Sequence, residues 1–377
     1  MIAYDLEKKA SVSVDIGGNS VSYSATQEPP EKGLYLSPGW IDIQVNGYMG
    51  VDLNSGEMTL DKLEFMTQKL HEVGVTRFLP TVITQSAEHM ERCLKLIVQA
   101  CEASPLVKEA VAGIHLEGPF ISPEDGARGA HPLEHVKAPT IDLFERLQEA
   151  ANGMIDLVTL APEHPGSFAF IRYLVDQNIT VALGHTLASP VQIAEAVSAG
   201  ATLSTHLGNG APATMPRHPN VIWDQLAEPQ LYASAIFDGF HLPDSVMRVL
   251  YKVKGPDRLI LTSDAVALAG MAAGVYTAPV GGKVELHENN RLTMFGTQYL
   301  AGSASSLLDG VNNLMSINSG DVLNIVAAIV AAVHSNPREL LKLPEKDDQV
   351  LFRVDTQNEV KVLAVTRADK ILYKTEV

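Results

Sequence analysis

The chain has 377 residues, 46% of them hydrophobic and 19% charged, an ordinary globular composition that excludes a largely disordered protein. Its 28 Lys+Arg stand against 44 Asp+Glu, a net charge of −16 without a basic cluster. That balance excludes nucleic acid and anionic lipid as partners, and any positive charge needed for an anionic substrate has to be local. No apolar run reaches ~18 residues free of charge, which predicts no membrane-spanning helix. The N-terminal MIAYDLEKKASVSVD lacks a basic-then-apolar leader, so the expected location is cytoplasmic.

In chain order, residues 1–38 come first. SVSVDIGGNSVSYSA alternates polar and apolar residues about a Gly-Gly turn and predicts a β-hairpin. The body, 39–336, alternates strand and helix patterns. Strands are expected at Ile41–Val45, Thr76–Ile83, Val111–Leu116, Asp156–Leu160, Thr180–Leu183, Thr202–Thr205, Tyr232–Phe237 and Leu259–Thr262, with helices such as Leu60–Val73, His89–Ala103 and Pro190–Ala199 between them. Cys93 and Cys101 fall on one of these helices, about two turns apart, too far for a disulfide within it, and read as packing thiols. A further hairpin is expected near Gly281–Leu300. The last stretch, 337–377, again alternates, with a turn at Asp355–Asn358. Eight strands alternating with helices predict an α/β fold, a (β/α)8 TIM barrel, which takes ~250 residues. The two β-rich termini predict one small β-sandwich domain assembled from 1–38 and 337–377.

Five apolar runs each end on a polar residue suited to metal or proton chemistry: Glu117, His185, His206, His241 and Asp264. A barrel of parallel strands carries its active site at the C-terminal strand ends, so these residues are expected to converge. Two histidines and a carboxylate there suit a zinc site, and an aspartate suits a proton carrier. A single such histidine reads more simply as a hydrogen-bonded residue at the barrel mouth; all three groups together favour the metal. Asp264 also reads as a helix N-cap, since Ser263-Asp264-Ala265 could open a helix.

The segments SPGWIDIQVNG, Leu79–Thr81, HLEGPF, Leu160–Glu163, GHT, THLGN, DGFH, TSDA and Leu300–Ser303 occur in an order similar to that of the N-acetylglucosamine-6-phosphate deacetylases of the amidohydrolase superfamily. Most of that superfamily ends its first strand in His-x-His; here the position reads Gln44-Val45-Asn46, and amides are poor zinc ligands. The deacetylase branch is similar in lacking this pair and in using one essential metal. The resemblance implies Glu117, His185 and His206 as ligands of one divalent metal ion, zinc suiting the donors, with iron, cobalt and manganese open. It implies a metal-activated water, with Asp264 taking its proton and giving it to the leaving amine, and His131 polarising the substrate carbonyl. Asn209, Gly210 and His241 would contact a sugar phosphate, and Gln44 and Asn46 join the substrate contacts. Arg217 would reach the phosphate from the neighbouring subunit of a homodimer.

The sequence departs from the family on one loop. Arg217-His218-Pro219-Asn220 stands where the family has Arg-Glu-Pro-Gly, and Leu207 to Pro212 lacks its usual aromatic and methionine. The C-terminal segment also lacks the usual Gly-Lys-x-Ala-Asp. Arg128 and His218 read as solvated loop residues. The chemistry looks kept, and the substrate stays open between the phosphorylated amino sugar and another N-acyl or cyclic amide without phosphate. A dead barrel kept for binding is disfavoured by the intact Glu117, His185, His206 and Asp264.

Overall fold

The computed structural model describes residues 1–18, 20–278 and 282–375. Eight parallel strands follow one another around a ring: Trp40–Val45, Val75–Ile83, Ile114–Glu117, Ile155–Leu160, Thr180–Leu183, Leu203–Ser204, Tyr232–Ala235 and Leu259–Leu261. The ring closes between the first and eighth strands. Val45 bridges Ala265, Thr262 Oγ1 donates to Asp42 Oδ1 at 2.8 Å, and Asn46 N donates to Ala265 O at 2.9 Å. This is the (β/α)8 barrel expected from the alternation of patterns.

The strands are buried on both faces: every residue of the first one is buried, although its sequence alternates Ile41, Asp42, Ile43, Gln44 and Val45. Ile41, Ile43, Leu79, Leu157, Ala182, Leu203, Tyr232 and Ile260 fill the barrel interior. Fully burying a side chain of this kind contributes about 1.5–3 kcal/mol. Leu340 closes the N-terminal end. Its segment is tied there by Asn336 Nδ2 to Leu259 O at 2.7 Å and by Thr180 Oγ1 to Leu340 O at 3.4 Å. The opposite, C-terminal mouth is therefore the open one.

Helices pack the outside because their apolar residues recur every three or four positions. In Ala87–Ala103 the buried residues include Met90, Cys93, Leu94, Ile97, Val98 and Cys101, and Ser86 caps the start by accepting from His89 N. The two cysteines are free and buried, and burial pushes both thiols up to about 11, so they are inert packing groups. In Pro190–Ala199 a capping box of Ser189 and Gln192 precedes the first turn and Gly200, at φ 113°, ends the helix.

The termini fold together. Seven strands close on one another in the order Ile2–Asp5, Ala10–Gly17, Ser20–Ala25, Lys370–Lys374, Val360–Arg367, Asp348–Val354 and Leu34–Pro38. Val12, Val14, Val21, Leu36, Leu351 and Ala364 lie in their core. Arg367 clasps this unit to the barrel: it pairs with Asp348 through two nitrogens at 2.6 and 3.1 Å and also reaches Glu109 and the carbonyl of Thr76.

Three expectations are corrected. The third strand begins at Ile114, not Val111, because Gly113 takes φ 140° and sits where any Cβ would strike Asp156. The expected hairpin near Gly281–Leu300 is part of a three-stranded antiparallel sheet of Gly274–Ala278, Gly282–Leu286 and Leu292–Met294; Gly281 lies outside the described residues. No helix opens at Asp264: that residue has φ 49°, and Ala265 bridges Val45 and Ser303. Among the described residues no helix is long and apolar enough to cross a membrane.

Candidate active site

Four of the strand ends each supply one group. Glu117 is the last residue of the third strand, His185 and His206 follow the fifth and sixth, and Asp264 follows the eighth. His185, His206 and Asp264 have φ of 49°, 29° and 49°, a left-handed backbone that costs a non-glycine residue of order 1 kcal/mol or more. The kink ends each strand and leaves the side chain in the mouth.

Three ligand atoms meet there. Glu117 Oε1 lies 2.9 Å from His206 Nε2 and 3.2 Å from His185 Nε2, and the two nitrogens are 3.2 Å apart. All three side chains are buried. His185 Nδ1 lies 2.9 Å from Ala127 O. A carbonyl only accepts, so Nδ1 carries the proton and Nε2 of the neutral ring is a bare lone pair. That nitrogen, His206 Nε2 and the Glu117 oxygen lie close enough that a cation or a shared proton has to sit among them. Burial alone would raise the Glu117 carboxyl, but the two imidazoles outweigh it and hold it well below the usual range. Burial opposes charging His206 in turn, and its bond to Glu117 prevails and raises it. The donor set fits a divalent metal held by two nitrogens and one oxygen with positions left open.

Asp264 stands beside this trio. Its Oδ1 accepts from Asn46 Nδ2 at 2.7 Å, and burial, then the charge of Glu117, push its carboxyl up to about 7. His131 Nδ1 bonds Thr84 Oγ1 at 2.9 Å, and its ring meets that of His185 edge-on at 4.5 Å. Burial, reinforced by His185, pushes His131 down to about 3, so it is a neutral imidazole. His241 is oriented by Asp238, whose Oδ2 lies 2.6 Å from His241 Nδ1. Gly210 has φ 56° and packs against His185, where any Cβ would lie 2.8 Å from the ring.

A cavity of about 370 Å³ holds Glu117, His185, His206, Asp264, Asn46, His131, Asn209, Gly210 and His241 together. Two expected site residues are elsewhere. Gln44 is buried and off the cavity wall; its Nε2 donates to Glu117 Oε1 at 2.8 Å, so it supports the trio from behind. Arg217 is exposed on the 211–219 loop and off the wall of its own chain's cavity, as is His218. Arg128 is not a solvated residue: it donates to Pro123 O and to His131 O at 2.8 Å and pairs with Asp125, which braces the loop that carries His131.

The sequence reading missed several groups. Thr84, Asp238 and His115 support site residues. His115 lies buried under the trio with Nε2 on Thr159 Oγ1 at 2.7 Å, which bonds Thr205 Oγ1 at 2.7 Å. HLEGPF and DGFH already contained His115 and Asp238; their position i−2 or i−3 to a site residue was the available signal. Asp52, Asn54 and Gln85 line one side of the cavity, and Leu292, Met294 and Leu300 from the three-stranded insert line another. Leu300 opens a segment the resemblance already marked; nothing in the local pattern of the others did.

No family model matches the chain. The N-acetylglucosamine-6-phosphate deacetylase of Bacillus subtilis strain 168 is 34% identical over 320 residues, 82% of this chain and 79% of its own. The Homo sapiens protein of the same name is 32% identical over 334 residues, 86% and 78% of the two chains. An N-acetylgalactosamine-6-phosphate deacetylase of Escherichia coli O157:H7 is 34% identical over 283 residues, 75% and 72% of the two chains. Among solved structures, N-acetyl-D-glucosamine-6-phosphate deacetylase from Mycobacterium smegmatis matches with TM-score 0.84 and 25% identity over 99% of each chain. A mutant of that enzyme in complex with N-acetyl-D-glucosamine-6-phosphate matches with TM-score 0.82 and 26% identity, over 96% of this chain and 94% of that one. The extent of this agreement, over the barrel and the small β unit alike, shows that the chain belongs to the N-acetylglucosamine-6-phosphate deacetylase family of the amidohydrolase superfamily.

Proposed function

We propose that the chain is a metal-dependent amide hydrolase that removes acetate from N-acetylglucosamine-6-phosphate. The observation that carries this reading is one cavity holding both the Glu117–His185–His206 trio and the buried Asp264. The trio would hold one divalent metal ion, and zinc is our choice for two imidazoles and a carboxylate. Such an ion, when bound, acidifies a water and polarises the acyl carbonyl.

The remaining work falls to the chain's own groups. Asp264, with Oδ1 held by Asn46, takes a proton from the attacking water at Oδ2 and later returns it to the leaving nitrogen. His131, neutral at working pH, hydrogen-bonds the acyl oxygen as charge develops on it. Asn209, the Gly210 amide and His241 receive the phosphate, and Arg217 from a second copy in a homodimer completes that subsite. Asp238 occupies His241 Nδ1 and so leaves Nε2 for the phosphate.

Acetate release from N-acetylglucosamine-6-phosphate by the zinc-loaded protein, with elemental analysis for one metal per chain, tests the reading. Absence of release at any metal loading would overturn it. A second reading, an N-acyl or cyclic amide without phosphate, is favoured by a single observation: Arg217 is exposed and away from its own cavity. A kcat/KM for N-acetylglucosamine equal to that for its 6-phosphate selects this second reading.

A further inference from the structure

We propose that Asp52 is a specificity-determining residue of this cavity: its carboxylate accepts a hydrogen bond from a ring hydroxyl of the sugar, on the edge remote from the phosphate. The proposal rests on the deacetylase reading above. Asp52 belongs to the small hairpin of Gly47–Tyr48 and Val51–Asp52 that follows the first barrel strand, and it lines the same cavity as Glu117 and Asp264. Its Oδ1 accepts from Asn54 N at 2.8 Å; Oδ2 has no protein hydrogen bond among the described residues. Burial raises this carboxyl, opposed first by the hydrogen bond from Asn54 N and then by nearby His89. A half-buried carboxylate with a bare oxygen on a cavity wall lacks a donor, which a sugar hydroxyl supplies.

The hairpin holds Asp52 rigidly. Gly47, which pairs with Asp52, lies so close to Val51 O and Ala267 N that a Cβ would come within 2.3 and 2.9 Å of them. Leu53 N donates to Asn46 O at 3.0 Å. The Asn54 side chain ties the next residue to the second strand, accepting from Ile83 N and donating to Thr81 O, each at 2.9 Å. Such preorganisation is what a hydroxyl acceptor needs to discriminate between sugars.

Its place in the ring decides which hydroxyl it meets. Asn209 and His241 follow the sixth and seventh strands and Asp52 the first; in the ring of eight the first strand lies two places from the seventh and three from the sixth, and Gln85, after the second, stands opposite Asn209. A carboxylate there cannot serve the phosphate, because like charges repel. With the phosphate at the far end and the acetamido group over the trio, Asp52 faces the hydroxyls that flank the acetamido carbon, at C1 and C3.

The test measures kcat and KM of the zinc-loaded wild type, Asp52→Asn and Asp52→Ala on N-acetylglucosamine-6-phosphate and on its 1-deoxy and 3-deoxy analogues. On the parent sugar, Asp52→Ala should raise KM about ten- to a hundredfold with kcat little changed, and Asp52→Asn, which keeps one acceptor, should fall between. On the analogue that lacks the bonded hydroxyl, wild type should already show the loss and Asp52→Ala should add nothing. An unchanged KM in Asp52→Ala, an equal loss on all three sugars, or loss of bound zinc from the variant overturns the proposal. Failure confined to the variants leaves the deacetylase reading standing, whereas a wild type that releases acetate from none of the three sugars overturns both.

Discussion

Asn46 Nδ2 and Asp264 Oδ1 are 2.7 Å apart, and this bond joins the ends of the first and eighth barrel strands where the ring closes. The residue standing in place of a metal-binding histidine is thus the partner of the proposed proton carrier. Asp264→Asn keeps the shape and removes the proton acceptor. Turnover should fall at least ~10²–10⁴-fold with metal content unchanged. The acid limb of kcat/KM checks the same group. In the proposed role Asp264 acts as a base when deprotonated, and burial pushes its carboxyl up to about 7, so activity should rise with pH through that ionisation and then level. A bound cation moves the limb lower, so it is expected at or below about pH 7. A wild-type profile without an acid limb, or one that persists unchanged in Asp264→Asn, would rule this assignment out.

Metal retention should follow the trio and its support. His185→Ala and His206→Ala should lose the ion on dialysis. Gln44→Leu, which removes the 2.8 Å bond to Glu117 Oε1, should weaken metal affinity about 10–100-fold without abolishing it. Competition against a chelator of known affinity gives the number. Two tightly bound ions per wild-type chain would contradict the single-metal site.

Gly210 tests the packing behind His185. A methyl group there would lie 2.8 Å from His185 Nδ1 on a backbone with φ 56°, so Gly210→Ala should displace the ring from Ala127 O. The expected outcome is a lower metal affinity with the fold intact, read by chelator competition beside circular dichroism. Retained wild-type affinity would show that the ring is free to shift.

Arg217 tests the subunit arrangement. If a second copy lends it to the phosphate subsite, Arg217→Ala should raise KM for the phosphorylated sugar roughly ten- to more than hundredfold and leave the unphosphorylated one unchanged. Sedimentation should show a dimer at assay concentration. A monomer with full activity toward the 6-phosphate would dispose of the shared site.

Arg367 tests the clasp between the small β unit and the barrel. Arg367→Ala leaves Asp348, 2% exposed, as a buried carboxylate without its cation. A broken buried pair costs about 3–5 kcal/mol. Urea unfolding should report that loss with kcat on folded protein unchanged; a loss below about 1 kcal/mol would show the pair to be dispensable.

The sequence by itself determined the elements and the candidate metal-binding residues. Most of the barrel strands are short aliphatic runs, and a histidine or carboxylate ending such a run is conspicuous. That is why Glu117, His185, His206 and Asp264 were legible before any coordinates, and why the barrel could be counted out from Ile41 to Thr262. Only the tertiary structure decided what surrounds them. Gln44 and Asn46 occupy one strand end two residues apart, yet the closure of the ring sends one behind Glu117 and the other onto Asp264. Arg128 reads as a surface charge until its guanidinium is seen bracing the His131 loop. Asp52, Gln85 and Leu292 come from distant segments with no common pattern, and they form one cavity because strands far apart in sequence end at the same mouth. Local periodicity reports which face of a strand or helix is buried, whereas contacts across the barrel mouth depend on where the ring closes.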